Sequence, residues 1–163
     1  MDTYIGVKLI NAEPMTRDAY NALRGWEVPV DENPNDEGYL VEYIDGGKAN
    51  HPDFAGYISW SPAEVFNNAY RRVDGLSFGL AIEALKLGKK VARAGWNGKG
   101  MWLVYVAGDV YEVARDVLIS IDAPDRTNSN FLPWIGMKTA DNKFVPWLAS
   151  QTDVLADDWS IVE

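Results

Sequence analysis

The sequence predicts an α+β fold in which small antiparallel sheets pack with short helices, in two small modules. Three observations support this prediction. The chain has 163 residues, 47% of them hydrophobic, which is enough for one ordinary domain or two very small ones. Short strand-like segments alternate with turns rich in glycine, proline and asparagine. Asp74 and Gly75 mark a boundary, so residues 1–74 and 76–163 are predicted to form the two modules.

The first module is predicted to open with a strand and a short helix. Residues 4–11 alternate well enough for a strand, and residues 16–24 have the pattern of a helix that Thr16 caps and Gly25 ends. Residues 28–38 contain two prolines, two asparagines and four acidic side chains, which predicts an exposed loop.

A hairpin and a second helix follow in the first module. Residues 39–44 and 56–60 are predicted as its two strands, joined by a long turn. A helix is then predicted from residue 61 to about residue 72, with Ser61 as its N-cap and Pro62 in its first turn.

The second module combines two predicted helices with five strands. Residues 77–86 have helical apolar spacing, and Gly88 ends that helix. Residues 150–158 form a last short helix, which Ser150 caps with Asp153 in the capping-box position. The predicted strands cover residues 91–94, 101–106, 134–139, 143–147 and 159–162, with a hairpin turn at residues 140–142. The segment 108–130 receives no assignment.

Composition excludes several classes of function. The chain has no cysteine and one histidine, which argues against disulfides, thiolate catalysis and the usual metal sites. We therefore predict no metal, no cofactor and no catalytic residue. The net charge of −9, without a basic stripe, predicts that the chain does not bind DNA or RNA polymers. No apolar run approaches the ~20 residues of a membrane helix, and no signal peptide is visible, which predicts a cytoplasmic protein without membrane contact.

The segment of residues 91–103 is the strongest candidate for ligand binding. It places two tryptophans, an asparagine, a lysine and three glycines in one strand, turn and strand. Glycines let backbone approach a ligand closely, tryptophan offers a stacking face, and Asn97 and Lys99 offer hydrogen-bond donors. The alternative is a tight turn with two tryptophans in the core.

Stacking, polar recognition and phosphate binding each have candidate residues. The predicted ligand-binding residues are Trp96, Asn97, Gly98, Lys99, Met101, Thr139, Trp147, Gln151 and Asp153. Trp147 could instead belong to the core, and Asp153 could act only as a helix cap. A second candidate pocket comprises Arg24, Trp26 and Arg93, although Arg24 and Trp26 could simply end and pack a helix.

The second module also carries a series of motifs in a fixed order. They are Ser77-Phe78, Ala84-Leu85, Gly88-Lys89, Val91-Ala92-Arg93, Gly95-Trp96-Asn97-Gly98-Lys99, Ile135-Gly136-Met137-Lys138-Thr139, Val145-Pro146-Trp147, Ser150-Gln151-Thr152-Asp153 and Asp158-Trp159. Together they resemble the second Thoeris anti-defence family of small phage proteins, over residues 76–163. The resemblance implies an α+β domain that forms a homo-oligomer, typically a tetramer, with ligand pockets between subunits.

The activity that this resemblance implies is sequestration in the cytoplasm of an infected bacterial host. Family members act as sponges that hold cyclic ADP-ribose signals, here expected to be glycocyclic ADP-ribose, and some also hold cyclic dinucleotides. The first module resembles a common phage accessory region, through Arg24-Gly25-Trp26, Glu37-Gly38-Tyr39-Leu40-Val41 and Tyr57-Ile58-Ser59-Trp60-Ser61-Pro62. Two alternatives stay open: an enzyme that degrades the same signal through paired carboxylates, and an inhibitor that binds a host defence protein directly.

Overall fold

The structure, a computed structural model, describes residues 1–108 and 132–162. The chain divides into two compact units, Met1–Arg71 and Arg72–Glu163. Each unit contains a small antiparallel sheet and short helices, which confirms the predicted α+β class. The segment left unassigned from the sequence lies almost entirely outside the described residues. The roles given to the two modules stay predictions.

The first unit contains a three-stranded sheet and two helices. The strands β1 (Ile10–Pro14), β2 (Gly38–Tyr43) and β3 (Tyr57–Pro62) pair antiparallel in that order. The helices are α1 (Arg17–Arg24) and α2 (Ala63–Ala69). The side chain of Thr16 caps α1 by accepting a hydrogen bond from the Ala19 amide, as predicted.

Apolar and aromatic side chains hold this sheet to its helices. Tyr20 of α1 is buried against Leu40 and Ile58 of the sheet. The rings of Tyr39 in β2 and Phe66 in α2 stack with their centroids 3.9 Å apart. Burial of such residues is the main favourable term in folding, so the unit has a core of its own.

The predicted first strand lies too early in the chain. Residues 4–9 have no regular structure, whereas β1 begins at Ile10 and runs to Pro14. Ile10 pairs with Tyr43 and Pro14 pairs with Tyr39, so the limits of β2 set the limits of β1. Alternation within residues 4–11 could not reveal this, because the strand partner fixes the register.

The predicted cap of the second helix is also wrong. Ser61 and Pro62 are the last residues of β3, where they pair with Tyr39 and Gly38. Helix α2 begins only at Ala63, ends at Ala69, and has no side-chain hydrogen bond at its N-cap. Strand pairing therefore holds Ser61 extended and overrides its local preference for a cap.

The second unit contains a five-stranded sheet in the order β7-β6-β5-β4-β8, with every pair antiparallel. Its strands are β4 (Lys90–Arg93), β5 (Trp102–Val106), β6 (Trp134–Lys138), β7 (Phe144–Pro146) and β8 (Trp159–Val162). Its described helices are α3 (Phe78–Lys86) and α4 (Gln151–Val154). These elements match the predicted ones to within a few residues, except that α4 is a single turn.

Helix α3 packs on one face of this sheet. Its Ala84 and Leu85 are buried with Val91 of β4, Leu103 of β5 and Trp159 of β8. Gly88 follows the helix with a φ of 77°, a left-handed conformation that a glycine adopts at little cost. In the described part of the chain, no helix is long and apolar enough to cross a membrane.

Candidate functional site

The turn between β4 and β5 is the centre of the candidate site. It presents Asn97 and Lys99 as exposed side chains. Gly100 has a φ of 70°, and its carbonyl oxygen accepts a hydrogen bond of 2.9 Å from Nζ of Lys138 on β6. The turn is therefore hydrogen-bonded to the neighbouring strand.

The same turn lies against the hairpin turn that joins β6 to β7. A Cβ atom added at Gly98 would lie 2.1 Å from Sδ of Met101 and 3.3 Å from Cβ of Ala140. Only glycine fits between these groups without displacing Met101. In the hairpin turn, Thr139 bonds to Asp141 through its hydroxyl and accepts from the Lys143 amide. The structure thus brings three predicted site residues together here: Gly98, Met101 and Thr139.

Three tryptophans form a cluster beneath the turn. The ring centroids of Trp96 and Trp159 are 5.4 Å apart, those of Trp147 and Trp159 are 5.9 Å apart, and those of Trp96 and Trp147 are 6.3 Å apart. All three contacts are edge-to-face, the favourable geometry for aromatic pairs. Trp159 is completely buried, whereas Trp96 and Trp147 are half-buried. Trp96 and Trp147 therefore contribute to packing, as the alternative interpretation of the sequence held, and each keeps part of its surface open.

Asp153 connects this cluster to a helix and a strand. Its Oδ1 accepts hydrogen bonds from Nη1 of Arg93 at 2.8 Å and from Nε1 of Trp96 at 3.2 Å. Its Oδ2 accepts from the amide and the hydroxyl of Ser150 at 3.1 and 2.6 Å, which completes the predicted capping box of α4. Four donors approach the acceptor capacity of a carboxylate, so Asp153 is largely committed within the protein.

Asp158 holds the beginning of the turn. Its Oδ1 accepts a hydrogen bond of 2.7 Å from Nε of Arg93, and its Oδ2 accepts one of 2.7 Å from the amide of Gly95. Arg93 therefore bridges Asp153 and Asp158, with only 15% of its own side chain exposed. Paired and hydrogen-bonded charges of this kind order the groups around them.

Arg93, Asp153 and Asp158 form one charged network, and their mutual hydrogen bonds keep all three side chains charged. Hydrogen bonds to Asp158 and Asp153 raise the pKa of Arg93, and the bond from Arg93 lowers the pKa of Asp158. Burial alone would raise the pKa of Asp153, but the bonds from Ser150, Arg93 and Trp96 outweigh burial and lower it to about 2. At neutral pH the two carboxylates thus share one guanidinium.

Gln151 is the remaining predicted ligand-binding residue. Gln151 is exposed at the start of α4, two residues from Asp153. Asp158 was absent from the predicted ligand-binding residues. The sequence did signal Asp158 through the motif Asp158-Trp159, which is part of the family resemblance.

The residues of the second candidate pocket are divided between the two units, with Arg24 and Trp26 in the first and Arg93 in the second. In the first unit, the guanidinium of Arg24 lies 4.4 Å from the ring centroid of Trp26, and its buried Nη1 has no hydrogen-bond partner among the described residues. Arg93 belongs to the second unit, where both aspartates occupy it. Arg24 is thus the last residue of α1 and packs on Trp26, and Arg93 is bonded to the two aspartates, while the second pocket stays a prediction.

The first unit contains a cleft of about 380 Å³. Arg17 lies in it, paired with Glu32, and its guanidinium is 5.1 Å from the ring centroid of Trp60. The cleft is therefore already lined by an internally satisfied ion pair. Within residues 1–108 and 132–162, no group of three or more histidines and acids has the arrangement of a metal site.

Comparison with known proteins bears on the second unit. Residues 76–162 match the Tad2-like family model, described as a Thoeris anti-defense 2-like domain. The chain is also 46% identical, over 91 residues, to a protein named Thoeris anti-defense 2 from Bacillus phage SP01, which covers 53% of this chain and 94% of that relative. The family match includes the glycine-rich turn, the tryptophan cluster and both aspartates, and it leaves residues 1–75 outside.

Proposed function

The chain belongs to the Thoeris anti-defense 2-like family, and on this basis we propose that it binds a cyclic nucleotide immune signal and holds it without cleaving it. Membership of the family supports a phage role in evading Thoeris immunity. The proposed ligand is a cyclic ADP-ribose isomer, with glycocyclic ADP-ribose as the first choice, or a cyclic dinucleotide. The proposed place of action is the cytoplasm of an infected bacterial host.

One observation carries this proposal: a glycine-rich turn presents exposed Asn97 and Lys99 on a backbone that is fixed from two sides. Lys138 holds Gly100, and Asp158 holds Gly95. A cyclic nucleotide offers a flat base, ribose hydroxyls and phosphates. An amide, an ammonium and backbone N–H groups are the donors that such a ligand requires.

The ordered structure of the glycine-rich turn is a second observation that supports the proposed binding. Tight capture without chemistry depends on a site that loses little freedom when the ligand arrives. The turn meets this condition because the tryptophan cluster lies beneath it and Asp153 fixes the Trp96 ring. We assign base stacking to the open parts of Trp96 and Trp147, where one contact contributes ~1–3 kcal/mol in comparable nucleic-acid sites.

We propose that exposed polar side chains around the glycine-rich turn make the hydrogen bonds to the ligand. We assign phosphate contact to Lys99 and hydrogen bonding to Asn97, Thr139 and Gln151. Asp153 is proposed to act through Trp96, because its two oxygens already accept four hydrogen bonds. Gly98 and Met101 are proposed to determine how closely the ligand approaches the backbone of the turn, and they contribute no charge to binding.

Assembly into a homo-oligomer, with a tetramer as the expected form, is part of the proposal. Leu148 is 91% exposed and Leu155 is 76% exposed, on either side of α4 and close in sequence to Trp147 and Gln151. Large exposed apolar side chains near a site favour an interface. A second subunit covering this region would close the candidate pocket and exclude water from it.

Calorimetry tests binding directly. The full chain is titrated with cyclic ADP-ribose isomers and with cyclic dinucleotides, and the same titrations are made with Asn97→Ala. Asn35→Ala is the matched control, because Asn35 is an exposed loop asparagine of the first unit. We expect one ligand class to bind the wild type, with roughly tenfold weaker binding for Asn97→Ala only, as for the loss of ~1.4 kcal/mol. Equal affinities for all three proteins would place the site elsewhere.

Two other functions are distinguished by the fate of the ligand. An enzyme would release a changed nucleotide, and a direct inhibitor of a defence protein would bind no nucleotide. Both carboxylates of the network are occupied by Arg93, which disfavours their use as a general acid and base. The first unit has no assigned role beyond an accessory one.

A further inference from the structure

We propose that Asp158 is the positioning residue of the glycine-rich turn and thereby sets the affinity of the candidate site. This inference rests on the proposed function and deepens it. Asp158 itself is not proposed to touch the ligand. It acts through Gly95, the residue that directly precedes Trp96 and Asn97.

Asp158 holds two successive main-chain amides. Its side-chain Oδ2 accepts from the amide of Gly95 at 2.7 Å, and its backbone oxygen accepts from the amide of Ala94 at 3.1 Å. Through Oδ1 it also accepts from Nε of Arg93 at 2.7 Å. The residue therefore fixes the chain where β4 ends and the turn begins. A hydrogen bond to a carboxylate is stronger than one between neutral groups, so the Gly95 bond is a firm anchor.

Space explains why residue 95 is a glycine. A Cβ atom there would lie 2.9 Å from Oδ2 of Asp158 and 3.2 Å from Nη2 of Arg93. Gly95 is not among the glycines with positive φ, so its backbone conformation is open to an L residue. The absence of a side chain at this position thus serves the close approach of the Asp158 carboxylate.

The anchor is connected to the residues that would meet the ligand. The main chain passes from Gly95 to Trp96, whose indole N–H bonds to Asp153, and Asp153 shares Arg93 with Asp158. The backbone and the ring of Trp96 are therefore held by the two ends of one charged network. Release of the Gly95 anchor would leave the ring held while the backbone beside Asn97 moves.

Two substitutions disrupt the hydrogen bond between Gly95 and Asp158, one at its acceptor and one at its donor residue. Asp158→Ala removes the acceptor, and Gly95→Ala forces a methyl group against it. We expect each to weaken binding of glycocyclic ADP-ribose about tenfold. In the double variant the methyl group has room, so we expect binding no weaker than in Asp158→Ala alone, a strong departure from additivity. Asp157→Asn is the matched control, since Asp157 is an exposed neighbour whose loss leaves the anchor intact.

A readout without ligand separates this inference from the proposed function. Amide hydrogen exchange at Gly95 should be at least tenfold faster in Asp158→Ala than in the wild type, and unchanged in Asp157→Asn. If the wild type binds no nucleotide, the proposed function fails, and exchange alone decides whether Asp158 positions the turn. Unchanged exchange at Gly95, or a full additional loss of affinity from Gly95→Ala in the Asp158→Ala background, would overturn the inference.

Discussion

The indole N–H of Trp96 donates a hydrogen bond of 3.2 Å to Oδ1 of Asp153. This bond joins the glycine-rich turn to the cap of α4, because the other oxygen of Asp153 accepts from Ser150. It also fixes the angle at which the Trp96 ring meets Trp147 and Trp159. The residue best placed to stack on a ligand is therefore also a structural residue, and the two roles have to be separated by experiment.

Substitution of Trp96 by two different residues separates those roles. Trp96→Phe keeps an aromatic ring and loses the bond to Asp153, which should lower the free energy of unfolding by ~1 kcal/mol. Trp96→Ala also removes the packing with Trp147 and Trp159, and should lower it by ~2–4 kcal/mol. Urea denaturation measures both changes.

The same two variants should also differ in their affinity for the ligand. Sequence alone suggests that Trp96→Ala weakens binding without unfolding the protein. With the observed packing we expect at least tenfold weaker binding together with a measurable loss of stability, and a smaller effect for Trp96→Phe. Equal ligand affinity in wild type and a folded Trp96→Ala variant would remove Trp96 from the site.

Asp153 makes stability depend on pH at the acid end. Its pKa is lowered from 3.8 to about 2 in the folded protein, so its contribution is present above its unfolded pKa and is lost as the pH falls towards 2. Asp153→Asn should therefore be less stable than the wild type by ~1–2 kcal/mol at neutral pH, after allowance for solvent screening. The difference should shrink between about pH 4 and pH 2, which denaturation at a series of pH values would follow. A difference that stays constant over this range would contradict the assigned role.

The close contact between Gly98 and Met101 predicts coupled substitutions. Gly98→Ala should displace the Met101 side chain and cost ~1 kcal/mol. In the Met101→Ala background the added methyl group has room, so the two changes together should cost less than their sum by ~0.5–1 kcal/mol. Simple additivity in thermal unfolding would indicate that the turn relaxes in another way.

Two serines that directly precede helices should differ in their contribution to stability. Ser150 accepts from the Asp153 amide and donates to its carboxylate, whereas Ser77 makes no side-chain cap bond to α3. Ser150→Ala should lower the free energy of unfolding by ~1–2 kcal/mol, and Ser77→Ala by less than ~0.5 kcal/mol. Similar losses for both variants would argue against the capping box as a stabilising feature.

The exposed leucines beside α4 predict the effect of charge on assembly. Leu155→Glu should break a homo-oligomer into smaller species, because burial of an unpaired charge in an interface is strongly unfavourable. Val65→Glu is a suitable control, since Val65 is an exposed apolar residue of the first unit. Light scattering after size exclusion gives the mass of each species. An unchanged oligomer in Leu155→Glu would place the interface on another surface.

Local signals in the sequence were sufficient for most of the second unit. The capping box at Ser150 and Asp153, the turn at residues 140–142 and the stop at Gly88 each depend on residues close in the chain, and each is found in the structure. The limits of β1 and the start of α2 depend instead on pairing with β2, which local patterns do not contain. For this reason the predicted starts of β1 and α2 were wrong.

The same distinction applies to the candidate site. Sequence spacing identified the turn and its exposed Asn97 and Lys99, because glycine, tryptophan and polar residues adjoin one another. The bridge from Arg93 to Asp153 and Asp158 spans 60 and 65 positions, so only the folded chain reveals it. The grouping of Arg93 with Arg24 and Trp26, and the assignment of Asp153 to the ligand, were made without knowledge of this bridge, and both stay predictions.

The fate of a bound nucleotide tests the central claim most directly. The purified chain is incubated with cyclic ADP-ribose isomers and cyclic dinucleotides, free ligand is removed, and the protein is heat-denatured before mass spectrometry of what it releases. Sequestration predicts that one cyclic nucleotide is recovered intact in stoichiometric amount. Recovery of a cleaved product, or of no nucleotide at all, would contradict the proposed function.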